Sequence, residues 1–206
     1  MLDFDINVIY RIPALLIALT VHEYAHAAVA DSLGDPTPRY MGRLTMNPLA
    51  HLDPIGTLML LVAGFGWAKP VQINSRYFRN VPKSLMAVAF AGPGANFFLA
   101  FLATFLLGAL NFAGFLSVGV YSFLYWVQLY NVWFGLFNLI PLPPLDGSKI
   151  LMGALPGRYA WQLARLGDYS NIILLAIVFT GLAGKLLSPL AQTLLLAMRV
   201  FVGLIF

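Results

Sequence analysis

Long apolar runs with few charges alternate with short polar segments along the chain, and the longest runs have the length of a membrane-spanning helix. A helix needs about 20 apolar residues to cross the roughly 30 Å of hydrocarbon in a bilayer. The segments that fit this description are about Ile12–Leu33, Ser84–Leu110, Val118–Pro141, Tyr169–Leu187 and Ser188–Phe206. We therefore predict an all-α polytopic membrane protein with about five transmembrane helices.

A further apolar segment, Ile55–Trp67, lies between the first and second of these spans. It has thirteen residues and is interrupted by Gly56, Gly64 and Gly66. Because such a segment is too short to cross the bilayer as a helix, we predict that it enters the membrane and returns to the same side. It would do so as a re-entrant helix or as a short β hairpin.

The composition agrees with a membrane protein. Of the 206 residues, 60% are hydrophobic and only 10% are charged, with a mean hydropathy of +0.82, whereas soluble domains carry about 25% charged residues. The pI of about 9.5 does not indicate nucleic-acid binding, because the basic residues form no run and lie mostly in the polar segments. The chain has no cysteine, which excludes disulfides and thiolate metal ligands.

Three ionisable side chains, His22, Glu23 and His26, lie within five residues of the first span. Two histidines four residues apart share one face of a helix and can bind one metal ion, and the carboxylate beside them can reach a water on that metal. A single buried histidine is more often a hydrogen-bonded core residue. Three ionisable groups at membrane depth each cost about 2.5–3.5 kcal/mol on insertion scales, so the group predicts a site for one zinc ion.

The third ligand of such a site must lie elsewhere, because a catalytic zinc has three protein ligands and one open position. Cysteine is absent and Glu23 is the only glutamate, which leaves His51 and seven aspartates. Five of these aspartates precede the first span, lie on the wrong side of its helix or lie in polar connections, so that Asp146, His51 and Asp53 remain as contenders. Asp146 is favoured because three of the four residues in Pro141–Pro144 are prolines, and a broken backbone at membrane depth must be buried in protein or line a wet cavity. His51 would then lie near the site, behind the ligands or on the substrate side.

The topology independently favours Asp146. If Ile55–Trp67 returns to the side from which it started, Asp146 and the two histidines lie on the same face of the membrane. Arg11 and Lys185 would be on the other face, whereas nine basic residues would share the face of the site. These nine are Arg39, Arg43, Lys69, Arg76, Arg79, Lys83, Lys149, Arg158 and Arg165. By the positive-inside rule, the site would open towards the cytoplasm, in a prokaryotic cell membrane.

Taken together, the motifs resemble those of the site-2 proteases, a family of intramembrane zinc metalloproteases. The resemblance extends from about Val21 to Gly157. Its most specific motifs are His22–His26 (HEYAH) and Asn138–Gly147 (NLIPLPPLDG). The segments Gly42–Pro54, Gly66–Val71 and Ala91–Asn96 (AGPGAN) are also similar.

The resemblance implies a role for each of these residues. His22, His26 and Asp146 would bind zinc, and Glu23 would be the general base. Asn96 and Asn138 would lie near the site, where their amides could hold the substrate backbone or an oxyanion.

The function implied is hydrolysis of peptide bonds within or near the transmembrane segments of single-span membrane proteins. The partners would be those substrates and the lipid bilayer, and a homo-oligomer is compatible with the sequence. Residues 1–206 would form one membrane-embedded protease domain, with a catalytic core at about 8–157, two scaffold helices at about 169–206 and no PDZ-like or nucleotide-sensing domain. The alternative is a non-proteolytic metal carrier or a client-binding pseudoprotease, neither of which needs Glu23.

Overall fold

The computed structural model describes residues 7–63, 66–165 and 167–206, and this part of the chain is almost entirely helical. The helices are α1 (Val8–Ser32), α2 (Thr37–Tyr40), α3 (Pro54–Ala63), α4 (Val81–Phe112), α5 (Val118–Asn138), α6 (Asp146–Ala154), α7 (Gly157–Arg165), α8 (Gly167–Phe179) and α9 (Leu182–Gly203). Short 3-10 turns at Pro48–Ala50 and Ser75–Tyr77 lie in the polar segments. The all-α prediction is confirmed.

Helices α1, α4 and α9 are long and apolar enough to cross a membrane, and they are the described helices that meet both conditions. Helix α5 has 21 residues, or about 32 Å at 1.5 Å per residue, but it carries the amides Gln128 and Asn131. Helix α8 has only 13 residues, or about 20 Å, which is less than the hydrocarbon thickness. The prediction of five spans is therefore not confirmed, because neither α5 nor α8 is among the described helices that meet both conditions.

The predicted helix boundaries differ most from the observed ones at two places. Helix α1 begins at Val8 rather than near Ile12, so that Pro13 lies inside it. The last two helices separate at residues 180–181, not between Leu187 and Ser188, and Gly181 there adopts a φ of +70°. Glycine populates this left-handed region without strain. Pro189 lies inside α9, as proline can in a membrane helix when other groups satisfy the carbonyl that loses its N–H partner.

Within the segment between α2 and α4, the chain forms a loop that contains α3 and whose two ends meet. An isolated antiparallel bridge joins Leu52 to Ala68, and the Lys69 N–H donates to the carbonyl of His51 at 2.9 Å. The two ends of the segment therefore lie side by side, as predicted. Its described part is the helix α3 with this single bridge, so the re-entrant helix is supported and the hairpin is not; Gly64 lies outside the described residues.

Helices α1, α4 and α5 form the central core, in which small buried residues such as Ala14 and Ala103 allow close packing. Helices α1 and α5 run parallel and α4 runs antiparallel to both. We call the end that contains the C-termini of α1 and α5 and the N-terminus of α4 the site end, and the other the opposite end.

Helix α9 packs on α4 and α5 and ends at the opposite end. Ala191 and Met198 contact a core that includes Ala100 and Val132, and the rings of Phe206 and Phe112 are 5.8 Å apart. The first turn of α9 is therefore at the site end, and Lys185 lies there rather than beside Arg11. The sequence-based topology was wrong about Lys185 because it treated α8 as a full crossing.

Candidate metal centre

Two histidines of α1 and the first residue of α6 converge in the interior of the protein. His22 Nε2 and His26 Nε2 are 2.9 Å apart, and Asp146 Oδ2 is 3.1 Å from the first and 3.0 Å from the second. All three side chains are buried, with His22 only 2% exposed. The structure thus brings together the three residues that the sequence favoured, across 120 positions of the chain.

Asp146 reaches this position because the backbone turns sharply after α5. The helix ends at Asn138, the proline-rich residues 139–145 are not helical, and Asp146 opens α6. A side chain at Gly147 would overlap the backbone carbonyls of Leu139 and Ile140. Glycine at this position is therefore required for the return of the chain towards α1.

The outer nitrogen of each imidazole faces a hydrogen-bond acceptor. His22 Nδ1 lies 2.7 Å from Asn96 Oδ1, and His26 Nδ1 lies 2.7 Å from the Val88 carbonyl. The Asn96 amide is oriented by its own donors, because its Nδ2 bonds to the Ala18 carbonyl at 2.9 Å and to Asn131 Oδ1 at 2.7 Å. Both Nδ1 atoms must therefore carry the proton of a neutral imidazole.

This arrangement of protons shows why the site fits a metal ion. With the protons on Nδ1, the neutral form of each imidazole directs an Nε2 lone pair towards Asp146 Oδ2. Such a group is stable when a cation lies between its members, and two imidazoles with one carboxylate are a typical catalytic zinc set. The hydrogen bonds to Asn96 and Val88 hold both rings in the required orientation.

Glu23 lies beside this group but is not part of it. The residue is 8% exposed, and its Oε2 accepts the N–H of Val71 at 3.3 Å. The segment that contains Val71 is held by two buried side chains: Arg43 donates to the Lys69 carbonyl at 3.4 Å, and Asp35 accepts the Asn74 N–H at 2.7 Å. Glu23 is thus positioned by a loop that is itself fixed.

A cavity of about 140 Å³ opens onto the three converging side chains and Glu23. Asn138 and Lys149 line it, with Lys149 Nζ 3.5 Å from Asp146 Oδ1. Asn138 also donates to the Phe134 carbonyl at 3.0 Å. Both residues therefore border the space in front of the converging side chains.

Three other candidates from the sequence lie away from the cavity walls. Asn96 is fully buried behind His22, and both of its amide groups are used within the protein. His51 is also fully buried, with its Nε2 2.9 Å from the Thr45 carbonyl. Asp53 accepts the Gly56 N–H at 2.8 Å and so caps α3. Neither His51 nor Asp53 belongs to the described group that could hold a metal.

The sequence did not single out Gly92, Asn131 or Val71. A Cβ at Gly92 would lie 2.5 Å from His26 Nε2 and 2.6 Å from His22 Cε1, so α4 can approach the rings only with glycine there. The small residues of Ala91–Asn96 indicated a close contact in this part of the chain, but the sequence did not show which side chains would lie against them. Asn131 gave no signal, because an amide within a span is ordinary. Val71 belongs to a segment that resembles the family, but the resemblance assigned it no role.

Comparison with known proteins identifies the family. The model of peptidase family M50 matches residues 113–181, a range that includes Asp146. "Putative zinc metalloprotease YwhC" of Bacillus subtilis is 41% identical over 187 residues, which are 88% of this chain and 85% of that protein.

More distant relatives are longer than this chain. "Putative zinc metalloprotease Rip2" of Mycolicibacterium smegmatis is 32% identical over 80% of this chain and 64% of its own length. "Putative zinc metalloprotease Rip3" of Mycobacterium tuberculosis is 31% identical over 79% of this chain and 37% of its own length. No solved structure matches the chain. The extent of the match to the Bacillus protein, together with the converging histidines and aspartate, shows that this chain is a zinc metalloprotease of peptidase family M50, the site-2 proteases.

Proposed function

We propose that this protein hydrolyses peptide bonds within or near the transmembrane segments of single-span membrane proteins, with one zinc ion held by His22, His26 and Asp146. The observation that carries the proposal is the meeting of the two Nε2 atoms and a carboxylate oxygen within 3.1 Å, beside Glu23 and a cavity. The length and apolar composition of α1 support a site at membrane depth. A substrate able to reach it is itself a membrane segment.

Glu23 is the general base of the proposed reaction. When bound, zinc supplies a Lewis acid that polarises the scissile carbonyl and acidifies the attacking water. The Glu23 carboxylate accepts the proton of that water and then passes it to the leaving amine. The Val71 N–H holds the carboxylate in place, and burial of the site excludes bulk water and strengthens each of these polar interactions.

The other polar residues of the site support this chemistry in different ways. Asn138 lines the cavity and would hold the backbone of the unwound substrate. Asn96 orients His22 and has no amide group left for a substrate. His51 stabilises the segment that leads to Val71, because its carbonyl accepts the Lys69 N–H.

The distribution of basic residues supports a site that opens towards the cytoplasm. Of the twelve Lys and Arg residues, only Arg11 and Arg199 belong to the opposite end. The positive-inside rule assigns the end with more Lys and Arg in its short connections to the cytoplasm. We infer a multi-pass protein of the prokaryotic cell membrane, in agreement with relatives from Bacillus and from Methanocaldococcus.

Metal removal tests the proposed function directly. The protein purified in detergent is expected to cleave a single-span reporter and to contain about one zinc per chain, because the three ligands form a single site. Chelation should abolish the activity, and one equivalent of zinc should restore it. Cleavage products on a gel and metal analysis give the readout. Failure of the zinc-loaded protein on a panel of single-span reporters would instead favour a carrier or client-binding role.

Gly92→Ala is expected to weaken zinc binding by at least tenfold and to lower the cleavage rate in proportion. The added Cβ would lie within 2.6 Å of atoms of both imidazoles, so either the rings or α4 must move. Displacing groups around a metal site typically costs 10–100-fold in affinity or activity. Zinc titration of the chelated variant measures the effect.

Gly94→Ala is the matched control on the same helix. Its Cβ would meet only the Phe90 ring, at 3.4 Å, and would not approach the histidines. It should retain zinc affinity and activity within about twofold of the wild type. Equal losses in both variants would mean that α4 tolerates no added methyl in this turn, and would contradict a specific role for Gly92 at the metal.

A further inference from the structure

A second, larger cavity lies between α4, α5 and α9 at the opposite end of the protein. It encloses about 480 Å³. Much of its wall is apolar, but six of its lining side chains are polar or amphipathic: Thr104, Asn111, Tyr121, Tyr125, Gln128 and Arg199. None of these residues contributes to the metal centre.

Arg199 is the cation of this cavity and is anchored by a buried polar chain. Its guanidinium donates to Gln128 Oε1 at 3.4 Å, the Gln128 amide donates to the Thr104 hydroxyl, and Thr104 donates to the Ala100 carbonyl at 2.8 Å. Gln128 is 1% exposed and Thr104 is 3% exposed, whereas Arg199 is exposed. A guanidinium has five N–H donors, so most of its capacity faces outwards.

No described carboxylate neutralises Arg199. The acidic side chains that the structure describes make their contacts elsewhere: Glu23 and Asp146 at the metal centre, and Asp31, Asp35 and Asp53 with residues between Thr37 and Asn74. The position of Arg199 matters as well, because it lies four residues before the end of α9 at Gly203, or about 6 Å along the helix. At that depth an arginine in a membrane helix reaches the level of the lipid headgroups.

An apolar groove continues from this cavity along α5 and α9. It has a volume of about 390 Å³ and shares Tyr125 and Arg199 with the larger cavity between α4, α5 and α9. From these two residues it runs past Leu129 and Leu195 to Trp133, in the direction of the membrane centre. Along the membrane normal, the cation Arg199 at headgroup level is therefore followed by the apolar groove, which leads towards the middle of the bilayer.

We infer that the cavity and the groove together bind one anionic phospholipid of the leaflet at the opposite end, with its phosphate on Arg199 and one acyl chain in the groove. Guanidinium and phosphate are matched in charge and geometry. An anionic headgroup is preferred because a zwitterionic one carries its own cation next to Arg199. The site is separate from the metal centre, so it does not depend on the proposed proteolytic activity.

Native mass spectrometry of the detergent-purified protein, incubated with phosphatidylglycerol and phosphatidylcholine, tests this inference. The wild type should retain phosphatidylglycerol about tenfold more strongly than phosphatidylcholine, which is the scale of one charge-assisted contact. Arg199→Gln should reduce the preference to within about twofold, and Arg199→Lys should keep part of it. Lys185→Gln, which removes a cation from the other end of α9, should leave the preference unchanged.

Several outcomes would overturn the inference: no preference in the wild type, an undiminished preference in Arg199→Gln, or an equal loss in Lys185→Gln. Glycerol phosphate serves as a headgroup without acyl chains, and retention equal to that of the lipid would show that the groove is not used. Thermal unfolding without added lipid must give the same midpoint for wild type and Arg199→Gln, because Arg199 is exposed. A lower midpoint would assign Arg199 to helix packing instead.

Discussion

Glu23→Gln is expected to reduce cleavage of a single-span reporter by about 10³-fold or more, with zinc still bound. A positioned general base contributes about 10²–10⁴-fold to the rate, and a glutamine cannot accept the proton of the attacking water. The substitution keeps the shape of the side chain, and the new amide oxygen can still accept the Val71 N–H. Because Glu23 is outside the group of converging ligands, the zinc content should remain that of the wild type.

The measurement needs both readouts on the same preparations. Initial cleavage rates of wild type and Glu23→Gln are compared at equal protein, and metal analysis is made on each. Glu23→Asp is the informative partner, because it retains a carboxylate but withdraws it by one methylene, and it should recover part of the activity. Cleavage by Glu23→Gln within about tenfold of the wild type would contradict the assignment of Glu23 as base.

Asp146→Asn is expected to remove both the zinc and the activity. A neutral amide replaces the only anionic member of the converging group, so two histidines would be left to hold a divalent cation. Loss of a direct ligand should exceed the 10–100-fold that is typical of losing an outer hydrogen-bond partner of a metal site. Zinc titration after chelation measures the affinity, and reporter cleavage measures the activity.

Asp53→Asn is the matched control, because Asp53 was a contender for the same role. Its carboxylate accepts the Gly56 N–H at the start of α3, and an asparagine oxygen can do the same. The control should therefore bind zinc as the wild type does. If Asp53→Asn lost zinc while Asp146→Asn kept it, the third ligand would have been placed wrongly.

The two main predictions separate binding from chemistry. Glu23→Gln should hold zinc and fail to cut, whereas Asp146→Asn should fail at both. A carrier of metal ions would lose function in the second variant only, because transport needs ligands but no general base. Measured together, the pair therefore distinguishes proteolysis from the alternative that the sequence allowed.

The sequence by itself determined the features that depend on neighbouring residues. Helical periodicity places His22 and His26 on one face, and the cost of ionisable groups in hydrocarbon makes a chance cluster there unfavourable. The third ligand could be narrowed to a few residues by elimination. The prolines before Asp146 indicated a break, but no local pattern encodes how a broken segment of 139–145 is directed back towards α1.

Only the tertiary structure decided which distant groups meet. It separated Asp146 from His51 and Asp53, because all three are polar residues in irregular segments whose positions depend on long-range backbone contacts such as the bridge from Leu52 to Ala68. It also showed why Gly92 lies where it does, against the imidazoles.

The C-terminal helices illustrate the same limit. Gly181 and Ser188–Pro189 are both reasonable helix boundaries in sequence, and the choice between them was made by packing of α9 along α4 and α5. That packing sets the position of Lys185 and brings Arg199 to Gln128. Periodicity and residue chemistry are local properties and can be read from the chain, whereas convergence in space results from how complete helices pack against one another.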